Sequence, residues 1–102
     1  MKVLHVLNEL KFSGAEIMYV DAAPIFQELG CELTVLNTAN KMGEYAIFFE
    51  SAGYEVIHFP IASNRFKQWR MCKEIMKLIR NFDVVHIHRH DLFCVFSYCA
   101  WR

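Results

Sequence analysis

The segment Asp83-Val84-Val85-His86-Ile87-His88-Arg89-His90-Asp91 concentrates the groups best suited to chemistry. On an extended strand His86, His88 and His90 share one face, because side chains alternate between the two sides. Two kinds of chemistry suit them. Three imidazoles beside a carboxylate can hold zinc and activate a bound water for hydrolysis. Here, however, His90 precedes Asp91, which departs from the H-x-H-x-D-H order of metal-dependent hydrolases. No other ligand cluster is evident, since His5 and His58 fall within strand patterns and are expected at core or edge positions. The second chemistry needs one histidine at a strand end, meeting a polar substrate as hydrogen-bond donor or weak general base. A histidine satisfied only by backbone groups is the plain alternative for each position.

A second segment, Asn8-Glu9-Leu10-Lys11-Phe12-Ser13-Gly14-Ala15-Glu16, has the marks of a helix start. Ser13 and Glu16 have capping-box spacing, in which hydroxyl and carboxylate each satisfy a free amide of the first turn. Gly14 allows another group close to the backbone. Free amides and the helix dipole make such an end receptive to phosphate or carboxylate, although the same residues suffice for a well-capped helix and nothing more. The segment is not G-x-G-x-x-G, and Lys11 lies in no P-loop, which argues against ordinary dinucleotide or ATP binding.

The elements around these segments alternate. The pattern predicts strands over 2–7, 32–37, 55–59 and 83–88, with helices over 14–29, 43–52 and 66–80 and a last helix from about 92. Gly30 and Gly53 each separate a helix end from an apolar strand, where glycine closes the helix in the left-handed conformation; Asn81 is expected to do the same before the fourth strand. Trp69, Cys72, Ile75, Met76 and Ile79 recur at helical spacing as a core stripe. Pro24 inside the first helix predicts a kink or break near Val20–Pro24. Alternating strands and helices imply an α/β fold, Rossmann-like and three-layered, with a parallel sheet of about four strands. If the strand order is 3-2-1-4, the order reverses between the first and fourth strands. Ligands bind beyond the carboxyl ends of strands at such a reversal, and both polar segments would lie there.

Composition narrows the function classes. With 55 % hydrophobic and 15 % aromatic residues in 102, the chain is a packed single domain rather than a disordered segment. A formal net charge of zero provides no bulk field for nucleic acid, and no nucleic-acid partner is expected. Residues 65–80 carry Arg65, Lys67, Arg70, Lys73, Lys77 and Arg80 against Glu74. They form either an ordinary solvated face or a peripheral contact with anionic lipid. Cys31, Cys72, Cys94 and Cys99 form no C-x-x-C pair. A strand pattern follows Met1 directly, with no secretory leader, so reduced, buried thiols in a cytoplasmic protein are expected. No apolar run reaches the roughly 18–20 residues of a membrane span. A four-stranded sheet closing on Phe93, Val95, Phe96, Tyr98 and Trp101 is expected to be incomplete. Either the chain is a fragment, or this apolar segment packs on a partner or on a second copy.

Taken together, Met1–Leu7, then Ser13-Gly14-Ala15-Glu16, then Gly30-Cys31-Glu32-Leu33-Thr34-Val35, then Asp83-Val84-Val85-His86-Ile87-His88 resemble the N-terminal domain of family 4 (group 1) glycosyltransferases across essentially the whole chain. The resemblance implies one half of a GT-B architecture, in which residues 1–102 belong to the acceptor-side domain and the donor-binding domain is absent. It implies a retaining sugar transfer from a nucleotide-sugar donor to a glycan or lipid-linked acceptor, with no cofactor and no essential metal. His88 matches the histidine that lines the reaction cleft, and His86 would be mainly structural. Gly14 matches the second glycine of the family's loop near the donor phosphates, while Ser13 stands where the first usually is. Arg89 and His90 would touch the acceptor. The family's donor-side pair of glutamates, separated by seven intervening residues, has no counterpart here, so the isolated chain is expected to be inactive. The alternatives from other classes are a zinc-dependent hydrolase using His86, His88 and His90, and a non-catalytic Rossmann-like binding module.

Overall fold

Val3 to Leu7 are apolar apart from His5, as suits a strand covered on both faces, and they form β1 (Lys2–Leu7) in the interior of the sheet. The computed structural model describes residues 1–10, 14–62 and 64–101, with the backbone alone for 15, 90, 93 and 100. β2 (Glu32–Asn37), β3 (Glu55–His58) and β4 (Val84–Ile87) complete a four-stranded, wholly parallel sheet in the order β3-β2-β1-β4. This is the 3-2-1-4 order considered from the sequence, and it reverses between β1 and β4.

Helices cover both faces. On one side α1 (Gly14–Glu28) and α2 (Ala46–Ser51) bring Ala23 and Phe49 onto Leu7, Leu33 and Val35. On the other, α4 (Cys72–Ile79) and α5 (Phe93–Trp101) bring Ile75, Ile79, Val95 and Phe96 onto Leu4, Val6 and Leu36. The result is the expected Rossmann-like three-layer α/β/α arrangement. Among the described residues no helix is long and apolar enough to cross a membrane. The apolar segment 92–101 buries Leu92, Val95, Phe96 and Cys99 against its own chain, leaving Tyr98 and Trp101 outside.

Gly30 (φ 83°) and Gly53 (φ 102°) hold the left-handed positions predicted for them. Asn81 does not, because no described non-glycine residue has a positive φ. The chain leaves α4 through tight turns instead: the Asn81 and Phe82 amides donate to the Leu78 and Ile79 carbonyls, and Asn81 Nδ2 donates to the Lys77 carbonyl. A turn conformation with ordinary φ and a side-chain bond thus replaces the strained one.

Three helices differ from their predicted form. α1 runs unbroken through Pro24, so no break occurs near Val20–Pro24. The ring of Pro24 is solvent-exposed, and the Tyr54 hydroxyl donates to the nearby Tyr19 carbonyl at 2.9 Å, tying this stretch to the start of β3. α2 begins at Ala46 rather than residue 43, because Gly43 lies against the Leu10 backbone and the Tyr45 amide donates to the Leu10 carbonyl at 2.9 Å. The helix predicted over 66–80 is two helices, α3 (Arg65–Arg70) and α4, separated at Met71. Asn64 caps α3 by accepting from the Phe66 and Lys67 amides. The turn at Met71 rotates the preceding residues relative to the stripe, so Trp69 is 42 % exposed against Tyr98 while Gln68 is 1 % exposed. Of the four thiols, Cys99 alone is buried and Cys94 is exposed, narrower burial than the sequence suggests.

Candidate functional site

Parallel pairing of β1 with β4 sets His5 directly beside His86 and Val6 beside Ile87. The ladder continues one step further, since the His88 amide donates to the Val6 carbonyl at 2.9 Å. His5, His86 and His88 therefore project from the same face of the sheet, the one on which α1 lies. Their ring centroids are 5.5 Å apart for His5–His86, 6.1 Å for His5–His88 and 4.1 Å for His86–His88. One ligand nitrogen from each lies within 4.8 Å of the other two.

The three rings occupy different environments. His86 is exposed at the open edge, and His88 is half-buried. His5 is 4 % exposed, and neither of its ring nitrogens has a hydrogen-bond partner among the described residues. Burial, reinforced by His86 and His88, lowers the His5 pKa from 6.5 to about 4, so its imidazole is neutral at neutral pH. Burial, and then His86, also lowers the pKa of His88.

Tyr19 of α1 completes the cluster. Its ring packs on His5 at 4.6 Å, and its hydroxyl lies 2.6 Å from Nε2 of His88. Burial raises the Tyr19 pKa, and burial followed by Tyr19 pushes Tyr54 up to about 12. A phenol that keeps its proton can donate to a neutral imidazole, which fixes the other ring nitrogen of His88 as a donor.

The strand on which His90 was expected does not extend to it. β4 ends at Ile87, and the chain turns through Arg89 into a single 3-10 turn, His90–Leu92. His5 takes the third place that the sequence reading assigned to His90. A signal for this was present: Lys2-Val3-Leu4-His5 and Asp83-Val84-Val85-His86 have the same charged–apolar–apolar–His order, and the Lys2 amide donates to Asp83 Oδ2.

Arg89 lies at the same edge, but its guanidinium is turned into the protein. It bonds both oxygens of Asp91 at 2.8 and 3.0 Å, the Ile61 carbonyl at 2.7 Å and the Thr38 hydroxyl at 3.2 Å. Thr38 in turn donates to the Leu7 carbonyl, and buried Gln68 donates to Asp91 and to the Ala62 carbonyl. This network, which includes Thr38 and Gln68 beyond the sequence-predicted residues, ties together the chain just past the ends of all four strands. The charge pair in it, Arg89–Asp91, has the arginine side chain 10 % exposed. Replacing Arg89 with Ala is expected to cost about 2 kcal/mol, because several buried acceptors lose a charged donor together. Urea unfolding measures this, and a change below half of it would show that the network contributes little.

Gly14 opens α1, and a side-chain carbon there would meet nothing within 4 Å, so the backbone at the helix start is accessible. Glu16 is buried, with Oε2 lacking a partner among the described residues. Ser13, the other half of the predicted capping box, lies outside the described residues, as does the side chain of His90. Asn8, Thr38, Asn40, Ile61 and Arg89 line a hollow of about 160 Å³ at this carboxyl edge. A larger hollow of about 460 Å³ lies at the amino ends of the strands, bordered by Lys2, Glu32 and Asn81. It is remote from the histidines and from the strand-order reversal where open α/β sheets place ligands. No protein-family model, curated protein or solved structure matches the chain.

Proposed function

We propose that the chain is the acceptor-side part of a retaining glycosyltransferase, which moves a sugar from a nucleotide-sugar donor to a glycan or lipid-linked acceptor. The observation that carries this reading is the position of His88. It stands one residue past β4, beside the reversal between β1 and β4, with its imidazole held by Tyr19 from α1. A neutral imidazole fixed there can donate to a hydroxyl of the sugar or acceptor. The accessible start of α1 at Gly14 suits the donor phosphates through free amides and the helix dipole.

In this reading Arg89 shapes the acceptor wall by tying the strand ends, and the nucleotide pocket belongs to a separate donor-binding domain. The exposed Arg65, Lys67, Arg70, Lys73, Lys77 and Arg80 favour an acceptor held at an anionic membrane surface.

The test is a ligand titration followed by NMR on the chain labelled at histidine and glycine. Nucleotide sugars and oligosaccharide or polyprenyl-phosphate-sugar acceptors are expected to give saturable shifts at His88 and Gly14, with no turnover. The His88→Ala variant is expected to lose the acceptor response. Turnover by the chain alone would refute the division into two domains. A full panel that leaves both positions unperturbed would refute sugar transfer.

A further inference from the structure

We propose that His5, His86 and His88 form a binding site for a divalent transition metal, with Zn²⁺ the best match, on the α1 face of the sheet between β1 and β4. This site shares His88 with the sugar-transfer reading but does not rest on it, and it differs from the sequence-predicted set, because His5 replaces His90.

The geometry provides the first argument. Three ligand nitrogens already lie within 4.8 Å of one another. Zinc–nitrogen bonds of about 2.0–2.1 Å place tetrahedral ligand atoms about 3.4 Å apart, so the cluster must contract by up to about 1.4 Å. His86 is exposed on the edge strand and has room to make that movement. The other two positions are held by the ladder that pairs β1 with β4.

His5 provides the second argument. It is 4 % exposed and surrounded by Tyr19, Phe26, Tyr54, His86 and His88, yet both ring nitrogens are unpartnered among the described residues. A buried polar group left unpaired is costly, and a native one calls for a reason such as a bound ion. Coordination would satisfy one nitrogen from within the cluster.

Ligand chemistry narrows the metal. Three imidazoles without a carboxylate suit Zn²⁺ and its nitrogen-seeking neighbours, and suit Mg²⁺ or Ca²⁺ poorly. Three protein ligands also leave a fourth position for water or a small anion, the pattern of open zinc sites. The Tyr19 hydroxyl can hold whichever His88 nitrogen the metal does not take, an outer partner of the kind that orients metal-bound histidines.

The test is calorimetric titration of the chelator-treated, tag-free chain with ZnCl₂, with Co²⁺ absorption reporting coordination number. One equivalent is expected to bind, with Co²⁺ giving the intense visible bands of a four-coordinate site. His86→Ala, at an exposed position that leaves the core intact, is expected to weaken binding at least about tenfold. His5→Gln is expected to weaken it likewise, and His90→Ala to leave it unchanged. His88 is left unaltered because the sugar-transfer reading also uses it. The proposal is overturned by absence of stoichiometric binding, by binding that survives both the His5 and His86 substitutions, or by loss of binding with His90→Ala.

Discussion

Between pH 6.5 and pH 4 the metal-free protein is expected to lose roughly 3 kcal/mol of stability through His5 alone. Its pKa falls from 6.5 to about 4 on folding, first because burial disfavours the charged ring and then because His86 and His88 lie beside it. The unfolded chain therefore takes up a proton that the folded chain refuses. The contribution of His5 is complete above pH 6.5, declines as pH falls, and is exhausted once pH passes below the folded value near 4. A difference of about 2.5 units at about 1.36 kcal/mol each gives the stated magnitude. His88, whose pKa is also lowered, acts in the same direction.

The measurement is urea unfolding at pH 7.5 and pH 4 in chelator, comparing the wild type with His5→Leu. The leucine variant is expected to be neutral or about 1 kcal/mol more stable at pH 7.5, because an apolar residue of similar size replaces two unmatched ring nitrogens. It is also expected to retain much more of its stability at pH 4. Carboxylate titration contributes equally to both proteins and cancels in the comparison. Identical pH dependence in the two proteins would place the sensitivity elsewhere.

Gly43→Ala is expected to cost about 3 kcal/mol or more. A Cβ at Gly43 would run into the backbone carbonyl group of Leu10. Leu10 cannot easily yield: its side chain is fully buried, and its carbonyl accepts the Tyr45 amide. Overpacking against backbone forces the segment after β1 to move, whereas a flexible side chain could rotate away. Gly14→Ala is the control, since its added carbon meets nothing within 4 Å; its effect is expected within about half a kilocalorie per mole plus the small helix-propensity gain. Thermal midpoints of the two variants measure the contrast. Equal midpoints would show that Gly43 and Leu10 do not pack this closely.

The positioning of His88 was legible because it depends on local signals. Apolar runs, helix-stop glycines and an acid at the start of each later strand (Glu32, Glu55, Asp83) mark where strands begin and end, and the strand–helix alternation limits the sheet to parallel orders. The division at Met71 was not legible in the stripe Trp69–Ile79, because a single turn residue with ordinary φ leaves no mark in apolar periodicity. Gln68 reads as a surface residue by type. Its burial depends on Asp91 and the Ala62 carbonyl, and Asp91 comes from a distant part of the chain.

From its residues alone, the chain determines four strands, the helices that alternate with them, and the sheet edge at which polar segments collect. These follow from side-chain period and turn chemistry, which act over a few neighbouring residues. Only the tertiary structure decides that His5 joins His86 and His88, that Arg89 braces the strand ends, and that Gly43 touches Leu10. Alternation along a strand reveals which face a side chain takes but not which strand lies alongside. That neighbour is chosen by burying both sheet faces at once, across the long sequence separation between β1 and β4.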